Sequence, residues 1–81
     1  MAVDEALVAR EVAGWVERTC GAERGPQDPL FSAGVLDSVR LQELVAWVED
    51  RYGVTVEPWD LSLANFDSAA AVAAFVAAAD A

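Results

Sequence analysis

Histidine is missing from this 81-residue chain. That excludes a Ser-His-Asp arrangement, an imidazole base and any histidine metal ligand. Cys20 is the one cysteine, so neither an intramolecular disulfide nor a cysteine metal cluster can form. Lying beside Gly21 at the end of a helix, it reads as a small half-buried residue rather than a reactive thiol. Basic residues are scarce, five against fourteen acidic ones, for a net charge of −9. Such a surface repels phosphate backbones and anionic lipids, so neither nucleic acid nor a membrane is an expected partner, whereas a basic patch on another protein is. No apolar run approaches the roughly 18 residues a membrane span needs. The N-terminal MAVDEALVAR has acids where a signal peptide needs a basic segment, so the expected location is cytoplasmic. No glycine-rich phosphate loop follows a strand. Glu49 and Asp50 diverge by about 100° on a helix and so read as a solvated face rather than a convergent acid pair. With no catalytic group, no metal site and little room for a pocket, the chain is not expected to be an enzyme.

What is present suits one small helical domain covering residues 1–81. At 56% hydrophobic the chain has enough apolar material for a single core. Val8, Val12, Trp15, Val16 and Thr19 keep the helical period, which predicts a first helix from Val3 to Thr19 stopped by Gly21. A long connection follows from Gly21 to Leu36, which Leu30, Phe31, Val35 and Leu36 should pin across the helix ends. Gly34 is placed for a backbone of positive φ. After Gly53, Val54–Val56 alternate like a strand but have no partner, so an extended segment is expected. Pro58 should start a turn or short helix through Leu63, with Trp59, Leu61 and Leu63 as its packing contacts. Phe66 sits as a hydrophobic staple before Asp67 and Ser68, which can cap a last helix to about Ala79 carrying Val72, Phe75, Val76 and Ala79 on one face. The expected fold is all-α: three main helices and one short one around a single core, with a long loop between helices one and two.

The stretch GVLDSVRLQELVAWVEDRY, residues 34–52, carries the functional signal. Asp37 and Ser38 are good N-cap residues, and an apolar stripe of Leu41, Leu44, Val45, Val48 and Tyr52 begins at once after them. Ser38 lies roughly 70° from the centre of that stripe, so its hydroxyl can reach solvent from a firmly mounted backbone. On the other side of the helix stand Val39, Gln42, Glu43, Ala46, Trp47 and Asp50, with Arg40 near the serine. Apolar Val39, Ala46 and Trp47 among charges resemble a docking surface. The alternative is that Trp47 covers a flank of the core. By itself, a serine at a helix start is ordinarily a cap.

The combination LFSAGVLDSVRLQELVAWVEDRYGVTV followed by NFDS resembles the acyl and peptidyl carrier protein family over essentially the whole chain. The matching features are Gly34, Leu36-Asp37-Ser38-Val39, the stripe Leu44/Val45/Val48, Tyr52-Gly53 and Phe66. The resemblance implies a four-helix carrier bundle in which Ser38 bears 4'-phosphopantetheine, placed there from coenzyme A by a phosphopantetheinyl transferase. It also implies that Asp37 belongs to the motif the transferase engages. Val39, Arg40, Glu43, Ala46 and Trp47 would then face the transferase, an adenylating or acyl-loading enzyme, and downstream synthase or tailoring enzymes.

Arg40 stands where carriers of fatty acid synthesis usually show an acid, which turns the reading away from that housekeeping role. GVLDS and NFDS look like discrete aminoacyl or D-alanyl-type carriers. The Met start and the lack of linkers suggest a free-standing monomer rather than an excised module. The reading is therefore a carrier of aminoacyl, peptidyl or acyl thioesters in specialised biosynthesis, of nonribosomal peptide or polyketide type. Two alternatives stand beside it: an unmodified acidic adaptor that binds a basic protein, and a carrier for fatty acyl or polyketide chains rather than amino acids.

Overall fold

The computed structural model describes residues 4–80. Val3, expected to begin the first helix, lies outside the described residues. Helix α1 runs Glu5–Cys20, α2 Ser38–Tyr52, α3 Leu63–Phe66 and α4 Ala69–Asp80, with a 3-10 turn at Pro58–Asp60. The architecture is the all-α bundle of three main helices and one short one that the periodicity predicts. Among the described residues there is no strand, and Val54–Val56 is extended.

Local chemistry fixes the helix ends. The Asp4 carboxylate caps α1 by accepting the Leu7 N–H at 3.2 Å. Gly21 (φ 73°) and Gly53 (φ 68°) end α1 and α2 in the left-handed region, each donating its N–H to the carbonyl four residues back. Ser68 caps α4, its hydroxyl accepting the Ala71 N–H at 3.0 Å. Asp67 does not share that task. Its carboxylate turns to the long loop instead.

Helix α1 packs chiefly against α4. Val8, Ala9, Val12, Trp15 and Val16 are buried on one helix, and Ala69, Val72, Ala73 and Val76 on the other. Buried alanines on both let the backbones approach closely. The α4 stripe thus starts a turn earlier than its large residues suggest. Phe75 is half-buried beside Phe66, with ring centroids 5.6 Å apart, and Ala79 is exposed in the final turn.

The long loop is ordered by the residues expected to pin it. Leu30 and Leu36 are buried, while Phe31 and Val35 pack half-buried against the core. Leu30 donates its N–H to the Asp67 carbonyl at 2.7 Å, and Ala70 donates to the Pro26 carbonyl at 2.8 Å. Both bonds tie the loop to the α3–α4 junction. Gly34 has φ 75° and donates to the Phe31 carbonyl, which turns the chain toward α2.

After Pro58 the chain takes the turn form, but without the expected packing contacts. A three-residue 3-10 turn is closed by Asp60 N–H to the Glu57 carbonyl and Glu57 N–H to the Asp60 carboxylate. So tight a turn has no buried face, and Trp59 is 78% exposed and Leu63 61%. Phe66, fully buried, does the anchoring that the other three were expected to share.

Candidate functional site

Asp37 ends the loop in an extended conformation, and its carboxylate accepts the Arg40 N–H at 2.9 Å while its carbonyl accepts the Leu41 N–H at 2.8 Å. Ser38 follows as the first residue of α2 and is exposed. Among the described residues, neither the Ser38 N–H nor the Val39 N–H meets an acceptor. Two free donors at the positive end of a fifteen-residue helix favour a negative group on the adjacent hydroxyl. A phosphate ester on Ser38 therefore fits both sterically and electrostatically.

The loop before Asp37 is held from the far side of the bundle. Asp67 Oδ1 accepts the Phe31 N–H at 2.7 Å, the Ser32 N–H at 3.0 Å and the Leu30 N–H at 3.3 Å, and Oδ2 accepts the Ser32 hydroxyl at 2.8 Å. Bonding from the Ser32 backbone and hydroxyl, followed by the Phe31 and Leu30 amides, holds its carboxyl below the usual range. The sequence reading assigned Asp67 to a helix cap. Its role here depends on residues 35 to 37 positions away, which local pattern does not register.

Helix α2 has two working flanks. Taking Leu44 as zero, Ser38, Gln42, Val45 and Glu49 lie at roughly 100–160°, and Arg40, Trp47 and Arg51 at roughly 300–340°. The first flank opens on a cleft of about 330 Å³ lined by Phe31, Ser38, Leu41, Gln42, Val45, Ala46, Glu49 and Leu61. A smaller cleft of about 190 Å³ shares Phe31, Leu41 and Leu61 and reaches Ser62, Leu63 and Phe66. Glu49, read from sequence as solvated, is half-buried and accepts the Val56 N–H at 2.8 Å, so it braces the extended segment. The spacing of Ser38, Gln42, Val45 and Glu49 was the available signal for this cleft. Its opposite wall, Phe31 and Leu61, comes from distant chain.

The second flank faces α1. Trp47 is half-buried, its ring centroid 6.2 Å from Trp15 and 5.8 Å from Tyr52, with the Arg51 guanidinium 5.7 Å above it. Arg51 pairs with Glu11, which also accepts the Tyr52 hydroxyl at 2.7 Å. Hydrogen bonds from Arg51 and Tyr52 lower the Glu11 carboxyl, whereas burial and then Glu11 push Tyr52 up to about 12. Trp47 thus covers a flank of the core. The physical reason is angular: it lies only about 60° from Leu44.

The other candidates on α2 lie at its surface. Val39 is 66% exposed, and Glu43 and Ala46 are exposed beside it. Arg40 is half-exposed and paired with Glu43 at 2.8 Å, a surface contact worth at most about 0.5 kcal/mol. Cys20 sits near this end of α2, half-buried, its thiol pushed up by burial against the opposing pull of Arg40. That favours the protonated thiol at neutral pH. Among the described residues no group of His, Cys, Asp and Glu could hold a metal, and no helix is long and apolar enough to cross a membrane.

The helical bundle thus offers an exposed serine at the start of its second helix, above a largely apolar cleft. Residues 7–76 match the family described as Phosphopantetheine attachment site. The chain belongs to that family, and its cofactor is 4'-phosphopantetheine. Over 48 residues it is 50% identical to the lincomycin biosynthesis protein LmbN of Streptomyces lincolnensis. That stretch is 59% of this chain and 17% of LmbN, so the chain spans about one sixth of that relative.

Proposed function

We propose that Ser38 is the attachment residue and that the chain is a non-catalytic carrier of aminoacyl, peptidyl or acyl thioesters in specialised biosynthesis. The observation that carries this reading is the exposed Ser38 hydroxyl beside two unpaired backbone N–H groups. In the loading step, catalysed by a phosphopantetheinyl transferase, the Ser38 oxygen forms a bond to the phosphorus that bears pantetheine in coenzyme A. The diphosphate P–O bond breaks, adenosine 3',5'-bisphosphate leaves, and the hydroxyl proton passes to a base of the transferase or to solvent. Asp37 holds the helix start while the Ser38 and Val39 N–H groups neutralise the new phosphodiester.

When bound, the group supplies a terminal thiol that holds cargo as a thioester, while the protein supplies position and recognition. Val39, Glu43 and Ala46, with Arg40 at their edge, form the face offered to the transferase, to an adenylating or acyl-loading enzyme and to later synthase or tailoring enzymes. The net charge of −9 suits basic partners. The name of LmbN, a protein of lincomycin biosynthesis, supports a natural-product setting.

Intact mass after incubation with coenzyme A and a broad-specificity transferase tests the assignment. A single pantetheinyl adduct is expected, absent in Ser38→Ala. Folded wild-type protein that gains no adduct leaves the unmodified acidic adaptor as the better account.

A further inference from the structure

The flank of α2 turned toward α1 opens on a pocket of about 180 Å³ lined by Glu11, Arg18, Trp47 and Arg51. Glu11 and Arg18 stand at i and i+7 on α1, and Trp47 and Arg51 at i and i+4 on α2, so each pair shares a stripe. Both Glu11 oxygens are taken: Oε2 pairs with Arg51, and Oε1 accepts the Tyr52 hydroxyl at 2.7 Å. Arg18 has no carboxylate within ion-pair reach among the described residues. The pocket thus sets two guanidinium groups against one carboxylate, a local positive excess on a chain of net charge −9. Gly14 is a second, independent sign of a built site. A glycine in mid-helix weakens the helix relative to alanine, and Gly14 has ordinary helical backbone that any residue could adopt. The one neighbour an alanine methyl would crowd is Arg18, whose Nη1 would stand 3.1 Å away. The bare stretch at Gly14 is therefore where the Arg18 guanidinium lies, folded back along α1 toward Glu11.

We propose that this pocket receives a carboxylate side chain of a partner protein, held between Arg18 and Arg51 over the Trp47 ring. Guanidinium groups take carboxylates in charge-assisted, often paired hydrogen bonds, and the ring offers a floor for the methylenes that carry the acid. A free anion in solution meets the repulsion of the whole acidic chain, whereas an acid delivered by a docked protein feels chiefly the charges within about 8 Å. The partner is basic where it faces the rest of the carrier, and its one acid fixes the register of the encounter. The pocket lies about half a turn around α2 from Ser38 and about 20 Å further along it. A protein held there leaves the Ser38 hydroxyl open to a second enzyme.

The test titrates the unmodified protein, at fixed ionic strength, with the capped peptide Lys-Gly-Glu-Gly-Lys and its Lys-Gly-Gln-Gly-Lys counterpart. NMR shifts of the Trp47 indole N–H and of the Arg18 and Arg51 Nε–H groups report the pocket. General attraction to an acidic protein favours the glutamine peptide, which carries more positive charge, so the two readings differ in sign. The glutamate peptide should move these signals saturably and the glutamine peptide should leave them in place. Arg18→Gln should weaken the glutamate peptide by about two- to fivefold, the worth of one exposed ion pair. Gly14→Ala keeps every charge, should melt no lower than wild type, and should weaken the peptide by displacing the guanidinium. Equal or larger shifts with the glutamine peptide, or wild-type affinity in Arg18→Gln, overturn the carboxylate site; wild-type affinity in Gly14→Ala overturns the part given to Gly14. Sedimentation that shows a dimer dissolved by Arg18→Gln makes a second copy of this chain the occupant and overturns a different partner. With the glutamate peptide saturating, Ser38 modification by a phosphopantetheinyl transferase should stay within about twofold of its free rate, whereas a slower rate overturns the separation of the two surfaces. Folded protein that gains no adduct defeats the attachment reading and leaves the pocket standing, since the titration does not use Ser38.

Discussion

Trp47→Ala separates stability from docking on helix α2. The ring is half-buried, in contact range of Trp15 and Tyr52 and under the Arg51 guanidinium. Removing about half of a ~200 Å² ring system from burial costs ~2–3 kcal/mol at about 25 cal/mol per Å². Two lost aromatic contacts bring the expected cost to about 3 kcal/mol, below the ~3–5 kcal/mol of a fully buried aromatic. In a domain of this size each kcal/mol moves the midpoint by ~4–8 °C, so Tm should fall by about 12–24 °C. Thermal unfolding followed by circular dichroism reads that shift. Below the variant's transition, the initial rate of Ser38 modification by a phosphopantetheinyl transferase should stay within about twofold of wild type, since the ring lies on the flank away from Ser38. Val39→Ala should do the reverse, leaving Tm within about 2–4 °C and slowing modification, because its side chain is 66% exposed next to Ser38. A Trp47→Ala protein that melts like wild type but is modified slowly would refute the placement of Trp47 in the core.

Burial of Tyr52, and then its hydrogen bond to Glu11, predicts an alkaline decline. Tyr52 is raised in the folded state from 10.0 to about 12, so between those values the unfolded chain loses a proton the folded one keeps. Stability from this group is whole below pH 10 and fades as pH rises through about 12; Tyr52→Phe should flatten that limb in urea titrations against pH. Glu11 and Asp67 are both lowered, so what they contribute is present at neutral pH and disappears as pH falls through their folded values, well into the acid range. Asp67→Ala should leave the helices formed yet raise amide hydrogen exchange at Phe31 and Ser32 at least about tenfold, because both N–H groups lose their acceptor together, while the Leu30 N–H keeps the Asp67 carbonyl. Unchanged exchange there would mean that the buried Leu30 and Leu36 side chains hold the loop unaided.

What could be read from sequence was local chemistry. Gly21, Gly53, Asp37 and Ser68 declare helix ends through groups within four residues, and the structure follows them. Gly34 has the positive φ its position asks for, and Phe66 is the buried staple. The misreadings share one cause, a neighbour whose direction the helix's own pattern does not encode. The stripe of α2 suggests one partner, yet Leu44 and Val48 alone are fully buried, because α1 claims the Trp47 side and the Phe31–Leu61 wall leaves Leu41 and Val45 half-covered. Trp59, Leu61 and Leu63 were apolar enough to suggest packing, but the three-residue turn buries no residue, and Leu61 and Leu63 beyond it are exposed too. At the site, Ser38 and Asp37 were legible because capping is local, whereas Asp67 and Glu49 act on backbone groups brought to them by the fold.

Placing these roles on separate flanks has a functional consequence. The side of α2 toward α1 carries the aromatic cluster and the Glu11–Arg51 and Glu11–Tyr52 contacts, so it anchors the distal end of the helix. The start of the helix is anchored differently, through a loop whose Leu30–Ser32 amides are gathered by Asp67 and whose last residue caps α2. Ser38 therefore sits on a helix fixed at both ends, while the flank beneath it keeps an open cleft. A carrier must meet several enzymes with one face, and each meeting needs the serine in the same place before contact. Rigid mounting provides that without ordering costs at each encounter. On the proposed docking face, substitutions at Val39, Glu43 and Ala46 would alter partner contacts without disturbing the residues that hold the helix in position.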